Sequence, residues 1–504
     1  MPITPSLEHL TRLRAITGER TEPVPERYLT EPRDRYQGRA AGVLRPRETA
    51  QVAEILALCQ RERIGVIPWS GGTGLVGGQV AAEGPPAVVL SLERLNRIRA
   101  IEPDDDAIVV EAGVALERVQ QAASEAGRLF PLAMASQGSC CIGGNLATNA
   151  GGVQVLRYGN ARDLVLGIEA VLPDGSIHHG LKRLRKDNTG YDLRHLLIGA
   201  EGTLGIITAA VLKLFPAPGE TATAMLAVHS PQAALDLLQV MREAIEGITA
   251  FELIADCGPT FLSSVYPDWQ DPLETNPPWR VLVEATGPAG QGLTARLESA
   301  LAAAFEHGLA SDGVLAQSEA QRQALWWLRE TIPEANRKVG SVSSHDISVP
   351  KSRIAAFIKA GAAAIAAIDP GLRLNCFGHL GDGNLHYNVF PPPGEHRRDW
   401  QDRAGQIKRA VHDQVDAHGG SVSAEHGIGR AKRGDLVRYG DPAKLAAMGA
   451  IKAALDPAGI MNPGALFAPE KFAEKFSALS QEIPSKAALL PGVSVGEDAR
   501  SALE

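Results

Sequence analysis

The alternation of hydrophobic and polar residues predicts helices and strands along most of the chain. Apolar residues recur at helical spacing in residues 7–14 and again in residues 52–59. Short apolar runs that are typical of strands lie at residues 65–68, 88–92, 107–111 and 165–172. The N-terminal part is therefore predicted to mix short strands with amphipathic helices.

After a Pro-rich break at residues 216–219 the pattern changes to strands separated by long helices. Strands are predicted at residues 225–228, 250–254 and 281–285, with a short one at 421–424. Helices are predicted at residues 232–245, 294–307, 326–335 and 404–418. This order is typical of an α+β domain in which helices cover a sheet.

An Asp-Gly turn joins two strand-like runs in the C-terminal half. The runs at residues 372–377 and 385–390 flank the segment GHLGDGNLH, and Asp-Gly in such a position is typical of a β-hairpin. On one continuous strand His379 and His386 would face opposite ways, whereas across a hairpin they can converge.

These histidines and a later Glu-His-Gly segment form a candidate metal site. His379, His386 and Glu425 offer two imidazoles and a carboxylate, a set that leaves positions open for substrate. The adjacent His426 is then available as a base. A single histidine is more often structural, but this combination favours metal binding or catalysis. The same ligands also suit a non-haem Fe(II) oxygenase, which is an alternative at this point.

Two glycine-rich segments present backbone amides that no side chain covers. The run WSGGTGLVGG at residues 69–78 is typical of a phosphate-binding nest, although tight turns are also rich in glycine. It has neither the Lys-Ser/Thr ending of a P-loop nor the spacing of a Rossmann turn. The run SQGSCCIGGNLATNAGG at residues 136–152 can surround a flat polar ring system with backbone hydrogen bonds.

Length and composition restrict the class of protein. A chain of 504 residues is too long for one ordinary core, so two or three domains are expected. The hydrophobic fraction of 44% and the charged fraction of 21% are typical of globular proteins. The net charge of -8, without any Lys/Arg-rich stripe, argues against nucleic-acid binding.

Cysteines and apolar segments bear on the compartment. The five cysteines form no CxxC pair, which favours a reducing environment. Residues 1–20 are charged throughout and lack the apolar region of a signal peptide. The most apolar helix, at residues 354–368, contains Lys359 and is too short to span a bilayer. We expect a cytoplasmic protein, with peripheral contact at the inner membrane face as the alternative.

The glycine-rich segments, followed by residues 188–193 and 198–208, resemble the FAD-binding domain of the vanillyl-alcohol-oxidase / p-cresol-methylhydroxylase superfamily. The hairpin and the Glu-His-Gly segment resemble the branch with D-2-hydroxyglutarate dehydrogenase, D-lactate dehydrogenases and the glycolate oxidase flavoprotein subunit. The resemblance covers residues 41–466. It implies an α+β fold class, in which a two-subdomain FAD-binding domain of the p-cresol-methylhydroxylase type carries an α+β, ferredoxin-like substrate cap domain.

The resemblance and the breaks in the pattern suggest the domain limits. We expect an N-terminal strap, an FAD-binding domain, a cap domain with the metal site, a C-terminal return to the FAD domain, and a helical or disordered tail. Their limits are residues 1–40, 41–218, 219–440, 441–468 and 469–504.

The resemblance also implies which residues contact FAD. The first glycine-rich segment would wrap the pyrophosphate, the second would follow the ribityl chain and isoalloxazine, and residues 201–206 would close over the adenine side. No His or Cys lies in the first segment, so non-covalent FAD is expected, although Cys140 and Cys141 lie in the second. The implied contacts are Trp69, Ser70, Gly71, Gly72, Thr73, Gly74, Gly77, Gly78, Gly138, Ser139, Gly143, Gly144, Asn145, Thr148, Gly151, Gly152, Glu201, Gly205, Ile206 and Asn462.

By the same resemblance, the protein oxidises a D-2-hydroxy acid to the 2-keto acid. The substrate would chelate Zn²⁺, or another divalent metal such as Mn or Fe, held by His379, His386 and Glu425. His426 would take the hydroxyl proton as C2 passes hydride to flavin N5, and Asn388 would help to orient the acid.

Arg329 matches a family arginine that contacts the substrate carboxylate. A guanidinium suits bidentate pairing with a carboxylate, although a surface ion pair with Glu330 or Glu334 is the alternative. Ser344 and Pro333 stand where the hydroxyglutarate enzyme has Lys and Thr, so a weaker preference for dicarboxylates is expected. A stronger preference for dicarboxylates would need another cation, such as Arg337 or Lys338.

Electrons must pass from the flavin to a separate acceptor, because the sequence has no cysteine cluster for an iron–sulfur centre. A quinone, an electron-transfer flavoprotein or a cytochrome would serve. An FAD-carrying subunit of a larger, glycolate-oxidase-like complex is therefore an alternative to an enzyme that acts alone. The sequence leaves the oligomeric state open, with a homodimer among the choices.

Overall fold

The structure is a computed structural model that describes residues 2–20 and 22–468, so the tail predicted at residues 469–504 lies outside the described residues. The helices are α1 (Leu7–Thr17), α2 (Thr49–Glu62), α3 (Leu116–Glu125), α4 (Ile142–Ala147), α5 (Val155–Tyr158), α6 (Leu193–Leu197), α7 (Pro231–Ala244), α8 (Cys257–Val265), α9 (Leu293–Glu306), α10 (Glu319–Val339), α11 (Ile354–Ala366), α12 (Gln401–Ala417), α13 (Arg433–Tyr439) and α14 (Pro442–Leu455). The strands are β1 (Ala40–Leu44), β2 (Val66–Trp69), β3 (Ala87–Ser91), β4 (Ile98–Glu102), β5 (Ala107–Glu111), β6 (Arg128–Leu129), β7 (Val165–Val171), β8 (Ile177–Gly180), β9 (Ile206–Lys213), β10 (Phe215–Pro216), β11 (Glu220–Val228), β12 (Ile248–Ala255), β13 (Trp279–Gly287), β14 (Asp312–Leu315), β15 (Asp346–Ser348), β16 (Arg373–His379) and β17 (Asn384–Phe390).

The N-terminal half builds two larger sheets that share a hydrophobic core, and a separate two-stranded sheet of β6 and β10. A three-stranded parallel sheet has the order β1-β3-β2, and a five-stranded antiparallel sheet has the order β4-β5-β9-β7-β8. The apolar face of α2 joins them, because Ile55 and Leu56 share one core with Leu90 of β3 and Val171 of β7. Helices α3 and α4 cover the antiparallel sheet with a second core. This pair of subdomains is the predicted arrangement.

The cap is one seven-stranded antiparallel sheet in the order β14-β11-β13-β12-β16-β17-β15. Alternate residues of its strands face opposite sides. Leu226 and Val283 pack with α7, α9, α11 and α12. Met225 and Leu282 pack with α8 and α10 on the other side. Because helices bury both faces, the strands read as continuous apolar runs, and the hairpin β16–β17 lies near one edge of the sheet.

The C-terminal part of the chain returns to the parallel sheet of the first half. The backbone N–H of Val66 donates to the carbonyl of Ile460 at 2.8 Å, and Asn462 N–H donates to the carbonyl of Val66 at 2.8 Å. Residues 460–462 therefore extend that sheet beside β2. None of the helices in the described ranges has the length and apolarity that spanning a bilayer requires.

Three local predictions differ from the structure. The run at residues 421–424 is not a strand, since only Ser421 forms an isolated bridge, to Ser348. The second glycine-rich segment contains the short helix α4, whose small side chains allow close packing. The helix predicted at residues 326–335 extends over the whole of α10, although Pro333 lacks the N–H for one helical hydrogen bond. Apolar packing of α10 against the sheet outweighs that loss.

Candidate active site

The hairpin of β16 and β17 brings two histidines together at one end of the cap sheet. His379 is the last residue of β16, His386 lies in β17, and their ring centroids are 5.9 Å apart. Gly378 has φ 143°, and a Cβ there would lie 2.7 Å from the carbonyl oxygen of Asn384. Glycine suits this position because L side chains rarely adopt such a conformation. The rings thus lie close together, as the Asp-Gly turn predicts.

Glu425 completes a group of three potential metal ligands. The ligand atoms of His379, His386 and Glu425 all lie within 4.8 Å of one another. His379 Nε2 is 3.7 Å from Glu425 Oε1. Asp346, Glu425 and His426 form a second such group. The Glu425 carboxylate is common to both groups.

A buried carboxylate that the sequence did not single out, Glu252 of β12, orients this group. Its Oε1 is 2.6 Å from His379 Nδ1, and its Oε2 accepts a 2.6 Å hydrogen bond from Arg329 Nε. Burial alone would raise the pKa of Glu252, but His379 and Arg329 lower it to about 2. Against the lowering effect of burial, Glu252 raises the pKa of His379 to about 9. His379 therefore presents Nε2 to Glu425, as metal-bound histidines commonly do.

Arg329 is buried in α10 and does not form a surface ion pair. Its residue exposure is 5%, and its guanidinium lies 4.9 Å from the ring centre of Phe377. The alternative pairing with Glu330 or Glu334 is wrong, since its ionic partner is Glu252. Among the described residues, the Arg329 guanidinium is hydrogen-bonded only through Nε, to Glu252. Its two terminal nitrogens are therefore available to a ligand.

Asp346, another residue that the sequence did not single out, holds the loop with the Glu-His pair. Its Oδ2 accepts the backbone N–H groups of Glu425 and His426 at 3.0 and 2.9 Å. Asn384 Nδ2 donates to Oδ1 at 3.1 Å, and His426 Nδ1 lies 3.4 Å from Oδ2. Burial would raise the pKa of Asp346, but His426 and Lys432 hold it far below its usual range. The carboxylate thus stays ionised and positions the loop.

The other two imidazoles are neutral at pH 7. Burial lowers the pKa of His386 to about 3, and it lowers the pKa of His426 to about 4 although Asp346 opposes it. Burial also raises the pKa of the Glu425 carboxyl to about 7. A neutral His386 can bind a cation through nitrogen, and a neutral His426 can accept a proton.

Asn388 lies two residues after His386 on β17, so both side chains are on the same face of the strand. Its Oδ1 accepts the backbone N–H of His345 at 3.2 Å. This contact fixes the orientation of the amide, whose Nδ2 makes no hydrogen bond among the described residues. That N–H group is left for a ligand beside the metal-ligand group.

The two glycine-rich segments pack directly on each other and reach the metal-ligand group. Ser70 Oγ accepts the backbone N–H of Gly144 at 3.2 Å. A Cβ on Gly71 would collide with the backbone of the second segment. At the far end, a Cβ on Gly151 would lie 2.6 Å from Glu425 Oε1. The second segment therefore leads from the first glycine-rich loop to the candidate metal site.

Three buried polar atoms among the implied FAD contacts lack a partner. Within the described residues, Trp69 Nε1, Asn145 Nδ2 and Asn462 Oδ1 make no hydrogen bond. Such atoms are costly to bury unless a ligand or water satisfies them. FAD fits this site, because its phosphates, hydroxyls and ring edge offer both donors and acceptors.

Most of the other residues that the resemblance implies as FAD contacts offer mainly backbone groups. Gly143 packs where a Cβ would lie 2.7 Å from the Cβ of Ala112, and Thr148 Oγ1 donates to the carbonyl of Gly144 at 3.0 Å. Ile206 is a core residue of β9. The others lie outside helices and strands, at Gly72, Thr73, Gly74, Gly77, Gly78, Gly138, Ser139, Gly152 and Gly205. Seven of these nine residues are glycines, which can contact a cofactor only through their peptide groups, whereas Thr73 and Ser139 also offer hydroxyl groups.

The carboxylate of Glu201 binds protein backbone. It accepts the N–H groups of Ile428 and Gly429 at 2.8 and 2.7 Å, in the loop that follows His426. Its own carbonyl accepts Asn462 Nδ2 at 2.8 Å. The N–H group of Glu201 is used as well, since it donates to the carbonyl of Ala147 at 2.8 Å. The Glu201 carboxylate thus ties the first half of the chain to the loop that follows His426.

Pro333 and Ser344, the two residues that differ from the hydroxyglutarate enzyme, carry no charge. Pro333 is exposed one turn after Arg329 on α10. Ser344 is exposed before β15, and its Oγ lies 2.7 Å from Ser341 Oγ. Neither side chain can replace a lysine ammonium.

Comparison with known families assigns both halves of the chain. Residues 40–180 match the family described as "FAD binding domain". Residues 217–466 match the family described as "FAD linked oxidases, C-terminal domain". These matches agree with the resemblance found in the sequence and with FAD as the cofactor.

Full-length relatives give the same assignment. The chain is 37% identical over 455 residues to D-2-hydroxyglutarate dehydrogenase of Xanthomonas citri pv. viticola, which covers 89% of this chain and 94% of the relative. It is 35% identical over 431 residues to the mitochondrial D-2-hydroxyglutarate dehydrogenase of Arabidopsis thaliana, with coverage of 85% and 75%. It is 36% identical over 442 residues to a putative mitochondrial D-lactate dehydrogenase of Schizosaccharomyces pombe, with coverage of 85% and 82%.

Solved structures confirm the fold class. p-Cresol methylhydroxylase with substrate bound superposes with a TM-score of 0.69 at 17% identity, covering 91% of this chain and 96% of that one. Alkyldihydroxyacetonephosphate synthase superposes with a TM-score of 0.65 at 16% identity, covering 92% and 85%. At such low identity these likenesses show the fold alone. Together with the family matches, they establish that the chain belongs to the FAD-linked oxidase family and is a flavin-dependent oxidoreductase.

Proposed function

We propose that the protein oxidises a D-2-hydroxy acid to the 2-keto acid, with FAD as the hydride acceptor. The observation that carries this proposal is the convergence of His379, His386, Glu425 and His426 beside Gly151. A base and a cation site at this position would lie next to a segment expected to line the flavin. The names of the relatives, which include D-2-hydroxyglutarate and D-lactate dehydrogenases, support the choice of substrate class.

FAD, when bound, supplies the acceptor for the hydride of the substrate. The residues that would hold it without a covalent bond are the backbone amides of residues 69–78 and 136–152. The unpartnered polar atoms of Trp69, Asn145 and Asn462 would complete the contacts.

A divalent metal, when bound, acts as a Lewis acid that lowers the pKa of the substrate hydroxyl. His379, His386 and Glu425 would hold it, and Zn²⁺ suits two imidazoles and a carboxylate, with Mn or Fe as the other choices. Binding must displace the proton that Glu252 stabilises on His379, so the metal affinity should rise with pH.

The side chains around this position have separate tasks. The terminal nitrogens of Arg329 bind the substrate carboxylate in a bidentate manner, and the Nδ2 group of Asn388 donates to the substrate. His426 takes the hydroxyl proton at Nε2, because its Nδ1 faces Asp346. Glu252 keeps both Arg329 and His379 in place, so the cation that binds substrate and the imidazole that binds metal are positioned together.

The electrons then pass to a separate acceptor such as a quinone, an electron-transfer flavoprotein or a cytochrome. The cysteines are all free and scattered, at Cys59, Cys140, Cys141, Cys257 and Cys376. They offer no cluster for an iron–sulfur relay within the described residues. An assay with an artificial acceptor distinguishes an enzyme that acts alone from a subunit that needs a partner.

The decisive test is a screen of purified protein with D- and L-2-hydroxy acids and an artificial electron acceptor, with and without a chelator. We expect D-specific reduction of the acceptor, loss of activity on chelation, and recovery when Zn²⁺ or Mn²⁺ is returned. The spectrum should show flavin bands that bleach anaerobically with the active acid. A protein that carried FAD but was not bleached by any 2-hydroxy acid would contradict the proposal.

A further inference from the structure

A cavity lined with arginines lies beside the N-terminal helix. Helix α1 ends at Gly18, whose φ of 68° lets the chain change direction there. The lining comes from the N-terminal segment between positions 14 and 25, from positions 43–47 at the end of β1, and from Arg94. None of the lining residues is an implied FAD contact or a proposed metal ligand, so the cavity is a different site from the candidate active site.

The lining of this cavity is strongly basic. It carries five arginines and two glutamates, which gives it a net charge of +3. The chain as a whole has a net charge of -8, so this positive charge is concentrated locally. A concave site of one sign focuses the electric field and attracts ions of the opposite sign. The arginines are Arg14, Arg20, Arg45, Arg47 and Arg94.

Two of these arginines are not neutralised by the protein. The side chains of Arg20 and Arg47 are exposed, and they form no hydrogen bond or ion pair with any described residue. Nearby on the surface, Arg12 shows the usual arrangement, since its Nη1 lies 3.1 Å from Glu62 Oε1. The cavity therefore holds guanidinium groups whose charge and N–H donors are available to a ligand.

Glu19 compensates only part of the remaining charge. A single oxygen, Oε1, lies 3.3 Å from Arg94 Nη1 and 3.7 Å from Arg45 Nη1. The other oxygen accepts the backbone N–H of Arg45 at 3.2 Å. One carboxylate thus serves two guanidinium groups and brings them side by side. The second glutamate of the lining, Glu22, is exposed and pairs with no described residue.

Arg45 is held in place from the side of the protein core. Its Nε lies 3.6 Å from Glu93 Oε1, and the Oε2 atom of Glu93 accepts the hydroxyl of the buried Tyr28 at 3.0 Å. The ring of Tyr28 in turn packs on that of Trp69, with the ring centres 4.8 Å apart. Arg45 Nε is buried and has no hydrogen-bond partner among the described residues. A cation that is already positioned loses less conformational freedom when it binds a ligand.

The size of the cavity limits the kind of ligand. Its volume is about 290 Å³. This is the space of roughly ten water molecules, at ~30 Å³ each. It accommodates one small molecule with two or three charged groups, and it is too small for a folded segment of a partner. Guanidinium groups bind phosphate and carboxylate in a bidentate manner, so both kinds of anionic group suit the lining.

We propose that this cavity binds a compact polyanion, a small molecule that carries two or three phosphate or carboxylate groups. Arg20 and Arg47 bind it from the exposed side, and Arg45 and Arg94 bind it from the side of Glu19. The negative charge of Glu22 opposes binding.

The test measures binding by isothermal titration calorimetry at low ionic strength. The full-length, FAD-loaded protein is used after a chelator has removed any bound metal, because polyanions would otherwise bind the metal. The probes are inorganic pyrophosphate and tricarballylate, a tricarboxylate without a hydroxyl group, and acetate is the monoanionic control. We expect saturable one-to-one binding of at least one polyanion and no binding of acetate. The polyanion that binds more tightly identifies phosphate or carboxylate as the preferred group.

Three variants assign the binding to the cavity. R20Q/R47Q should weaken it roughly 10- to 100-fold, because two charge-assisted contacts are lost. E22Q should strengthen it roughly 2- to 5-fold, because a repelling charge is removed. R353Q/R409Q removes two other exposed arginines, and therefore the same charge, and should leave the affinity unchanged. All the substituted side chains are exposed, so Tm and FAD content should stay at their wild-type values.

Several results would overturn the inference. They are the absence of saturable binding to the wild type, an unchanged affinity in R20Q/R47Q, and weaker binding in E22Q. An equal loss in R353Q/R409Q would show a general effect of surface charge. Acetate that binds as well as the polyanions would show simple screening by ions. Binding that is lost in R329K, where the cavity is intact, would place the polyanion at the candidate active site.

Discussion

Glu252 shows how one residue can set the chemistry of two others. It is buried in β12, and its two oxygens contact Arg329 and His379 separately. Breaking such a pair by removing one member leaves an uncompensated buried charge, which is strongly destabilising. The shared carboxylate therefore makes the position of Arg329, the proposed substrate-binding cation, depend on that of His379, a proposed metal ligand.

Arg329→Lys tests the bidentate contact. A lysine keeps the charge, but it lacks the planar guanidinium. Its single ammonium group cannot bond to Glu252 and also make two parallel hydrogen bonds to a substrate carboxylate. We expect kcat/KM to fall roughly 10- to 100-fold. Steady-state kinetics with the best substrate measures the effect, with FAD content as a control for folding. An unchanged kcat/KM would show that Arg329 does not touch the substrate.

Glu425→Gln and His426→Asn should fail in different ways. The first removes an anionic oxygen from the metal, so metal content should fall and activity should partly return at high metal concentration. The second should keep metal and FAD but slow flavin reduction ~10²–10⁴-fold, because no base accepts the hydroxyl proton. Metal analysis and anaerobic stopped-flow measurements separate the two.

The opposite pattern of metal loss would point to a different metal site. If His426→Asn lost the metal while Glu425→Gln kept it, the cation would bind the second ligand group, which includes Asp346. If both variants kept metal and normal flavin reduction, the active site would lie elsewhere.

Among the elements, β4, β5 and β7 are joined by an ionic network. Glu111 of β5 accepts hydrogen bonds from Arg97 and Arg99, and Glu169 of β7 accepts from Arg99 and from Thr49 of α2. Burial raises the pKa values of both carboxyls, but these donors outweigh it and lower them. The network ties α2 to the antiparallel sheet.

The network should make stability depend on acid pH. A lowered folded-state pKa adds stability above the unfolded carboxyl pKa, roughly 4.3, and that stability is lost as the pH falls through the lower folded value. We therefore expect Tm to fall steeply below about pH 4.3. Glu111→Gln should lower stability at pH 7 by ~1–3 kcal/mol and flatten this decline.

Glu62, which is partly exposed and pairs with Arg12 on the surface, is a control for this effect. Glu62→Gln should leave the pH profile of Tm unchanged, because solvent screens surface ion pairs. An acid profile of Glu111→Gln equal to that of the wild type would show that the buried network does not cause the decline.

For the whole molecule, the site is a junction between the two halves of the chain. Glu201 from the FAD-binding half holds Ile428 and Gly429, and Gly151 leaves room for Glu425. The glycine-rich segments and the loop with Glu425 and His426 are therefore positioned by each other.

The flavin should be released when the protein unfolds. Burial raises the pKa of Cys141 to about 11, and Cys140 is buried with a raised pKa, so neither thiol is activated for covalent attachment. We expect acid precipitation to leave all the yellow colour in the supernatant, as measured by absorbance. Colour that stays on the pellet would contradict this, and Cys141→Ser would then identify the attachment point.

Local features of the sequence were enough for much of the fold. Helical spacing located α2, α7 and α9, and the Asp-Gly turn located the hairpin with His379 and His386, because periodicity and turn chemistry act over a few residues. The short strand expected at residues 421–424 is absent, since Ser421 and Ser423 are hydrogen-bonded to each other and the carbonyl of Val422 accepts Lys432 Nζ.

The sequence by itself determined the family, the cofactor and the metal-ligand candidates, because these depend on short motifs whose residue types carry the chemistry. Only the tertiary structure decided which residues act together. Glu252 and His379 are 127 positions apart, and nothing but a lone acid in an apolar strand marked Glu252. Glu201 and Gly429, which are hydrogen-bonded, are 228 positions apart. Pairings of this kind arise when sheets and loops pack, so they are encoded in the whole fold and not in any local pattern.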